Sequence, residues 1–304
     1  METLVTFPVS ERHKKIGNSI IGGENIIWFP ETGPAEILLV KNISFTFDHK
    51  PKFIQVIYAG TDHIDMNRIP EGTKIASNAG AYSIPVAEHA FALLLERTKK
   101  ISKFKFETSM GIFKPEETRL LYGKRLGIIG YGGIGSKIAS FAKAFGMDVS
   151  AVARGYTDHN ADRFYSLENL DKLLTESDIV VISIPLTKRT LNLIGEKELN
   201  LLKKDAILIN IARSEIIKKD DMINFLKRNT GVSYLSDVWW GEPELKDAGL
   251  ENIVVTPHVA GGLSDDVMDL VFETAFKNIK RFIDGEPLRN LVNIEESYFV
   301  GREK

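Results

Sequence analysis

Three apolar runs in the second half of this chain end in side chains that do chemistry. They are Arg213 in Ile211-Ala212-Arg213, Glu242 in Asp237-Val-Trp-Trp-Gly-Glu242-Pro243, and His258 in Thr256-Pro-His258-Val-Ala-Gly261-Gly262. With a glycine turn upstream, Gly130-Tyr-Gly132-Gly133-Ile134-Gly135, they supply the parts for moving a hydride to or from a carbonyl carbon. The developing alkoxide needs a proton. Histidine can hold and release one near neutral pH, and a carboxylate beside it favours the imidazolium. A guanidinium can polarise the carbonyl and grip a neighbouring carboxylate in bidentate fashion. Taken singly, a strand-end arginine, an acidic loop or a lone histidine is more often solvated or structural. It is their joint occurrence at consecutive strand ends that points to catalysis.

The elements that must position them follow from the apolar pattern. Leu126–Ile129 leads into the glycine turn, a helical pattern follows, and a second apolar run ends at Arg154. Strand, glycine turn, helix and strand in that order bring backbone N–H groups and a helix N-terminus against a pyrophosphate. The runs Asp178–Ile184, stopped by Pro185, Ala206–Ile211, Gly231–Asp237 and Ile253–Thr256 read as further buried strands. Six strands between residues 126 and 256 make a doubly wound parallel sheet, whose ligands sit at the carboxyl ends of the strands. Ser166 is placed to cap a helix running through Leu174. Ahead of the turn, residues 26–29, 37–40, 53–57 and 73–76 read as short strands of a small parallel α/β unit. Val86, Ala90, Leu93, Leu94 and Arg97 recur at helical spacing over 84–101, with Pro85 in the first turn. A long amphipathic helix is expected over 265–284.

Bulk properties narrow the class. A chain of 304 residues exceeds a comfortable single core, so two domains are expected. Hydrophobic content of 43% and charged content of 26% are those of an ordinary globular protein. A net charge of −2 with both signs dispersed argues against nucleic acid or an anionic membrane as partner. The absence of cysteine removes disulfides, thiolate metal sites and a cysteine nucleophile, and no metal is expected. No signal-peptide core is seen, and no apolar run approaches the roughly 20 residues that span a bilayer. A cytoplasmic location is the default expectation.

The motifs together resemble the D-isomer-specific 2-hydroxyacid dehydrogenases from about Ile37 to Asn293. They include Gly60-Thr-Asp-His-Ile-Asp65, Val86-Ala-Glu-His89, residues 122–135, Ile209–Arg213, Asp237–Pro243, Thr256–Gly261 and Gly285–Asn293. The resemblance implies a Rossmann-like doubly wound parallel sheet inserted in a smaller flavodoxin-like α/β domain. Residues 89–267 would bind the dinucleotide, and 1–88 with 268–304 the substrate. The helices over 84–101 and 265–284 would cross between domains, with the active site in the cleft. It further implies reversible hydride transfer between NAD(P)H and a small 2-oxoacid such as glyoxylate or hydroxypyruvate. D-3-phosphoglycerate dehydrogenase is the other reading within the family, although no appended regulatory domain is expected here. Position by position, His258 resembles the acid/base, Glu242 its carboxylate partner and Arg213 the substrate arginine. Tyr58, Ala59 and Gly60 match the loop whose N–H groups hold the substrate carboxylate. Gly133 and Ile134 match the pyrophosphate site, and Asp237 the residue near the nicotinamide amide. Pro185, Ile211 and Ala212 line the cofactor groove, which Gly261 also borders. Formate dehydrogenases of this fold carry glutamine where Glu242 stands. A homodimer through the nucleotide domains is implied. Relatives that act as dinucleotide-sensing corepressors form the alternative of another class.

One departure bears on the cofactor. NAD-specific members end the strand after the glycine loop with an aspartate that bonds the adenosine ribose. Here that position is Ala153, followed by Arg154, and the next acid is Asp158. A guanidinium suits a 2′-phosphate, so NADP(H) is expected to be preferred over NAD, which could otherwise be held through Tyr156 or Asp158. Lys41, after the strand at 37–40, could meet a phosphate or a second carboxylate on the substrate, or simply be solvated.

Overall fold

Residues 1–43, 47, 49–155, 158 and 160–300 are described by the structure, a computed structural model. The chain divides into two units. The smaller holds Met1–Tyr82, Leu186–Arg189 and Gly262–Lys304; the larger holds Ser83–Pro185 and Thr190–Gly261. The breaks after Tyr82 and Gly261 precede the expected boundaries at 88 and 267. Each of the two long helices therefore belongs whole to one unit.

The smaller unit begins with β1 (Thr3–Val5), α1 (Glu11–Ile21), β2 (Ile26–Trp28), β3 (Ile37–Val40), β4 (Phe53–Val56) and β5 (Lys74–Ala76). The strands form a parallel sheet of order β2-β1-β3-β4-β5, the flavodoxin-like order. Every residue of β3 and β4 is buried, because both faces are covered and the strands must be apolar throughout. Neither β1 nor α1 was expected. The α1 segment carries Lys14, Lys15, Gly17 and Asn18 among its apolar positions, which blurs its helical period.

The larger unit runs through α2 (Ser83–Lys99), α3 (Ile101–Ser109), β6 (Arg125–Ile129), α4 (Gly133–Ala144), β7 (Asp148–Val152), β8 (Arg163–Tyr165), α5 (Leu170–Glu176) and β9 (Ile179–Ile182). It continues with α6 (Glu196–Leu199), β10 (Ile207–Asn210), α7 (Lys219–Arg228), β11 (Ser233–Ser236) and β12 (Ile253–Val255). Its seven strands are all parallel, in the order β12-β11-β10-β9-β6-β7-β8. The order reverses between β6 and β9, and such a switch point opens a crevice for a ligand. β8 is the seventh strand, not expected from the sequence and half-buried along its length. The helix expected over 84–101 ends at Lys99, where Lys100 turns left-handed and α3 restarts the spiral. Ser166 precedes a short 3₁₀ turn that leads into α5 and makes no capping bond, a correction to its expected role. Its hydroxyl is taken by Asn169 Nδ2 at 3.0 Å.

The chain then re-enters the smaller unit through α8 (Asp265–Ile283). Val271, Phe272, Ala275, Phe276 and Ile279 of α8 pack on Val5, Ile37, Leu39 and Phe53. On the other face of the sheet Leu38, Val40, Ile54, Val56 and Ile75 cluster with Ile43, Ile64 and Met66. No helix among the described residues is long and apolar enough to cross a membrane.

Candidate active site

The register of the larger sheet aligns the expected site residues. Val152, Ile129, Ile182, Asn210, Ser236 and Val255 are partners across successive strands, so they form one row near the carboxyl edge. Ala153, Gly130, Ser183, Ile211, Asp237 and Thr256 come next in the chain. Arg154, the glycine turn, Pro185, Arg213, Glu242 and His258 all leave the sheet within a few residues of that edge. This follows from strand pairing alone, which no local pattern encodes.

Beyond β12, His258 and Glu242 meet. Glu242 Oε2 lies 3.0 Å from His258 Nδ1, and the Trp239 N–H donates to Glu242 Oε1 at 2.6 Å. The glutamate is thus fixed from behind, by the backbone beside the fully buried Trp239 indole. His258 has φ of 55°, a left-handed conformation that costs about 1–2 kcal/mol in a non-glycine residue. What holds it there is Asp237, which is 2% exposed. Its Oδ1 accepts the Thr256 hydroxyl at 2.6 Å and the Val259 N–H at 2.9 Å. Its Oδ2 accepts the Ala260 N–H at 2.7 Å. The carboxylate therefore clamps the chain on both sides of His258. Asp237 was expected to face a nicotinamide; most of its acceptor capacity is spent on this loop. Gly261 follows Ala260 and is half-buried.

Arg213 is placed by the end of β10. Asn210 Oδ1 accepts the Ala212 N–H at 3.0 Å and Asn210 Nδ2 donates to the Arg213 carbonyl at 2.9 Å. This two-residue turn fixes the backbone from which the guanidinium projects. Arg213 Nη1 donates to the Ala212 carbonyl at 2.7 Å. Behind Asn210, Tyr234 is wholly buried, and burial pushes its phenol up to about 12 despite the side chains of Ser236 and Asn210. Ile211 is buried and Ala212 half-buried beside it.

The glycine turn fits a pyrophosphate. Gly130 has φ of 100°, and a Cβ there would lie 2.6 Å from backbone atoms of Ile184. A Cβ on Gly135 would lie 2.2 Å from the Gly130 carbonyl oxygen, so only glycine lets α4 start this close to the turn. A Cβ on Gly132 would meet nothing within 4 Å, so the chain faces open space there. No side chain caps α4, which leaves N–H groups at Gly133 and Ile134 for an anionic group. Pro185 is exposed at the end of β9, and its carbonyl is held by the Thr190 hydroxyl at 2.7 Å. After β7, Arg154 is exposed. Asp158 accepts a short hydrogen bond from the Tyr131 hydroxyl and another, at 2.8 Å, from the Asn160 N–H. Tyr156 lies outside the described residues.

In the smaller unit, Tyr58, Ala59 and Gly60 follow β4 and are half-buried. The Asn78 N–H holds the Tyr58 carbonyl at 2.8 Å, and the Tyr58 ring packs edge-on to His63 with centroids 5.5 Å apart. Burial raises the Tyr58 phenol above its ordinary value. His63 Nε2 reaches the Lys41 carbonyl at 2.8 Å, and the Lys41 ammonium stands 4.9 Å from the Phe7 ring centroid. Thr256, Asn210 and Trp239 appear in the sequence only as motif members with no role of their own, because each acts through a bond to a neighbouring strand end or loop.

A parallel sheet of this order, with a glycine turn at its switch point, is the scaffold of a dinucleotide-binding oxidoreductase. Residues 91–260 match the family model "D-isomer specific 2-hydroxyacid dehydrogenase, NAD binding domain". The chain belongs to that family and is an NAD(P)-dependent oxidoreductase acting on the CH–OH group of donors. It is 34% identical to a glyoxylate reductase of Thermococcus litoralis over 80% of this chain and 77% of that one. Among solved structures, it is similar to a glycerate dehydrogenase related protein from Thermoplasma acidophilum. That protein is 44% identical with a TM-score of 0.74, and the match covers 93% of this chain and 100% of that one. A putative formate dehydrogenase from Pyrobaculum aerophilum is 28% identical with a TM-score of 0.83, covering 97% and 99%.

Proposed function

We propose that this chain interconverts glyoxylate or hydroxypyruvate and the corresponding 2-hydroxyacid with NADP(H), and that His258 is the acid/base. The observation that carries the reading is the 3.0 Å contact between Glu242 Oε2 and His258 Nδ1. A carboxylate on one ring nitrogen orients the imidazole and leaves Nε2 as the proton-bearing position. Bound nicotinamide supplies or accepts the hydride. His258 Nε2 then delivers a proton to the carbonyl oxygen as it gains charge, and takes one back in the oxidative direction. Arg213 polarises that carbonyl, and the N–H groups of Tyr58, Ala59 and Gly60 are assigned to a substrate carboxylate. Formate oxidation releases CO2 and needs no such pair, so the Glu–His contact favours hydroxyacid chemistry. Small substrates are favoured by the names of the relatives, a glyoxylate reductase and a glycerate dehydrogenase related protein.

NADP(H) is favoured by Ala153 and the exposed Arg154 at the end of β7, and by the engagement of Asp158 with Tyr131. A homodimer through the larger unit is favoured by an exposed apolar stretch on and beyond α3: Ile101, Phe106, Met110, Phe113, Leu120 and Tyr122, with Phe113 92% exposed. The deciding experiment is a panel of glyoxylate, hydroxypyruvate, pyruvate and 3-phosphohydroxypyruvate with both reduced cofactors. Turnover is expected with the first two, falling about 10²–10⁴-fold in His258→Ala. Tight cofactor binding without turnover on any 2-oxoacid would overturn the proposal.

A further inference from the structure

The clamp around His258 extends one residue further, to a histidine for which the chemistry above has no use. His89 rises from α2, and its Nε2 lies 2.8 Å from Thr256 Oγ1 and 3.5 Å from Asp237 Oδ1. The direction of these bonds can be worked out. Asp237 accepts two backbone N–H groups, so it is the acceptor in the 2.6 Å contact with Thr256 as well. A hydroxyl has one hydrogen; Asp237 Oδ1 at 2.6 Å takes it in preference to the Ser236 carbonyl at 3.4 Å, and with either acceptor none is left for His89. Thr256 Oγ1 must then accept from His89, and His89 Nε2 must carry a hydrogen.

We propose that His89 is a positioning residue for His258, acting through Thr256 and Asp237; the inference rests on the reading of His258 as acid/base. By filling a lone pair of the Thr256 hydroxyl, the His89 N–H fixes the hydroxyl hydrogen on Asp237. Asp237 so fixed holds the N–H groups of Val259 and Ala260. Those two bonds keep His258 left-handed, which is what turns its ring onto Glu242. The anchor for the arrangement is α2, in which Val86, Ala90, Phe91 and Leu93 are buried; the Phe91 ring packs on those of Phe141 and Phe145 at the end of α4, and Arg97 Nε donates to Ser233 Oγ of β11 at 2.7 Å. The His89 side chain is 21% exposed and the Asp237 side chain 3%. The donor thus reaches, through the Thr256 hydroxyl, a carboxylate with little access to water.

His89→Phe keeps a planar ring and removes the donor; His89→Gln restores an N–H donor of similar reach. With NADPH saturating, His89→Phe is expected to lower kcat by about tenfold or more, since small misplacements of a reacting group are costly. KM for the 2-oxoacid and Kd for NADPH should stay near wild type, and His89→Gln should recover most of the loss. Adding His89→Phe to Thr256→Val should cost little more than Thr256→Val alone, because both act through one link. Independently of turnover, the Val259 and Ala260 amides should exchange with solvent about tenfold faster or more in His89→Phe but not in His89→Gln. Four results would each overturn the proposal. They are an unchanged kcat in a folded His89→Phe protein, a His89→Gln variant as slow as His89→Phe, full additivity with Thr256→Val, or exchange at the wild-type rate. If the wild type turns over no 2-oxoacid, it is the acid/base reading that fails, and the exchange comparison decides the role of His89 by itself.

Discussion

Replacing Asp237 with asparagine tests how the catalytic loop is held. The carboxylate accepts three donors: Thr256 Oγ1 at 2.6 Å and the N–H of Val259 at 2.9 Å on one oxygen, and the N–H of Ala260 at 2.7 Å on the other. Asparagine offers one acceptor oxygen. In its better orientation the amide nitrogen replaces Oδ2 and faces the buried Ala260 N–H, donor against donor. Hydrogen bonds to a charged group are worth about 1.5–3 kcal/mol each, and a buried unsatisfied N–H costs about 1–3 kcal/mol. Relief of a buried charge works the other way. A net loss of about 2–4 kcal/mol is expected, or roughly 4–16 °C in Tm for a unit of this size. Calorimetry on the cofactor-free protein is the assay, so that any contact of Asp237 with nicotinamide does not enter. The Val259 and Ala260 amides should lose protection together. A Tm within about 1 °C of wild type, with those amides still protected, would refute the clamp.

Arg154→Ala should raise KM for NADPH and leave KM for NADH nearly unchanged in steady-state kinetics; equal effects on both would dismiss its role in choosing the cofactor. Gly135→Ala drives a Cβ into the Gly130 carbonyl, 2.2 Å away in the present geometry. It should abolish dinucleotide binding, read by fluorescence titration, and lower Tm. Asp178 is opposed by burial, yet the Arg125 N–H at 2.9 Å and the Lys203 ammonium at 2.8 Å hold its carboxyl below the ordinary value. Its stabilisation is present above the unfolded carboxyl pKa and is lost as pH falls through the lower folded value. The Tm gap between wild type and Asp178→Asn should therefore be clear at about pH 7 and shrink as pH falls below the unfolded carboxyl pKa of about 3.9. Glutamate at Phe106 and Phe113 should shift the protein from dimer to monomer in light scattering, and a wild type that is already monomeric would remove the dimer.

The site and the fold were legible in the sequence to different depths. The glycine turn could be read because its requirement is local: an apolar run before it, a helix pattern after it, and glycine at positions where a Cβ meets Ile184 or the Gly130 carbonyl. Arg213, Glu242 and His258 could be read because each follows an apolar run that a parallel sheet buries on both faces. The strands β1 (Thr3–Val5) and β8 (Arg163–Tyr165) were not read. Ser166 had the composition of a cap, but its hydroxyl is used by Asn169 and makes no cap bond.

By itself the sequence determined the class of fold, the dinucleotide turn and the trio of side chains, because run length, periodicity and glycine placement act within a few residues. Only the tertiary structure decided the strand order, the row that aligns Val152, Ile129, Ile182, Asn210, Ser236 and Val255, and the grip of Asp237 on Thr256 before His258 and on Val259 and Ala260 after it. It also brought His89 to Thr256 across 167 positions of chain. Such contacts depend on which strands pair and which helix packs above them. That is settled by the burial of whole faces at once, and no single segment carries the instruction.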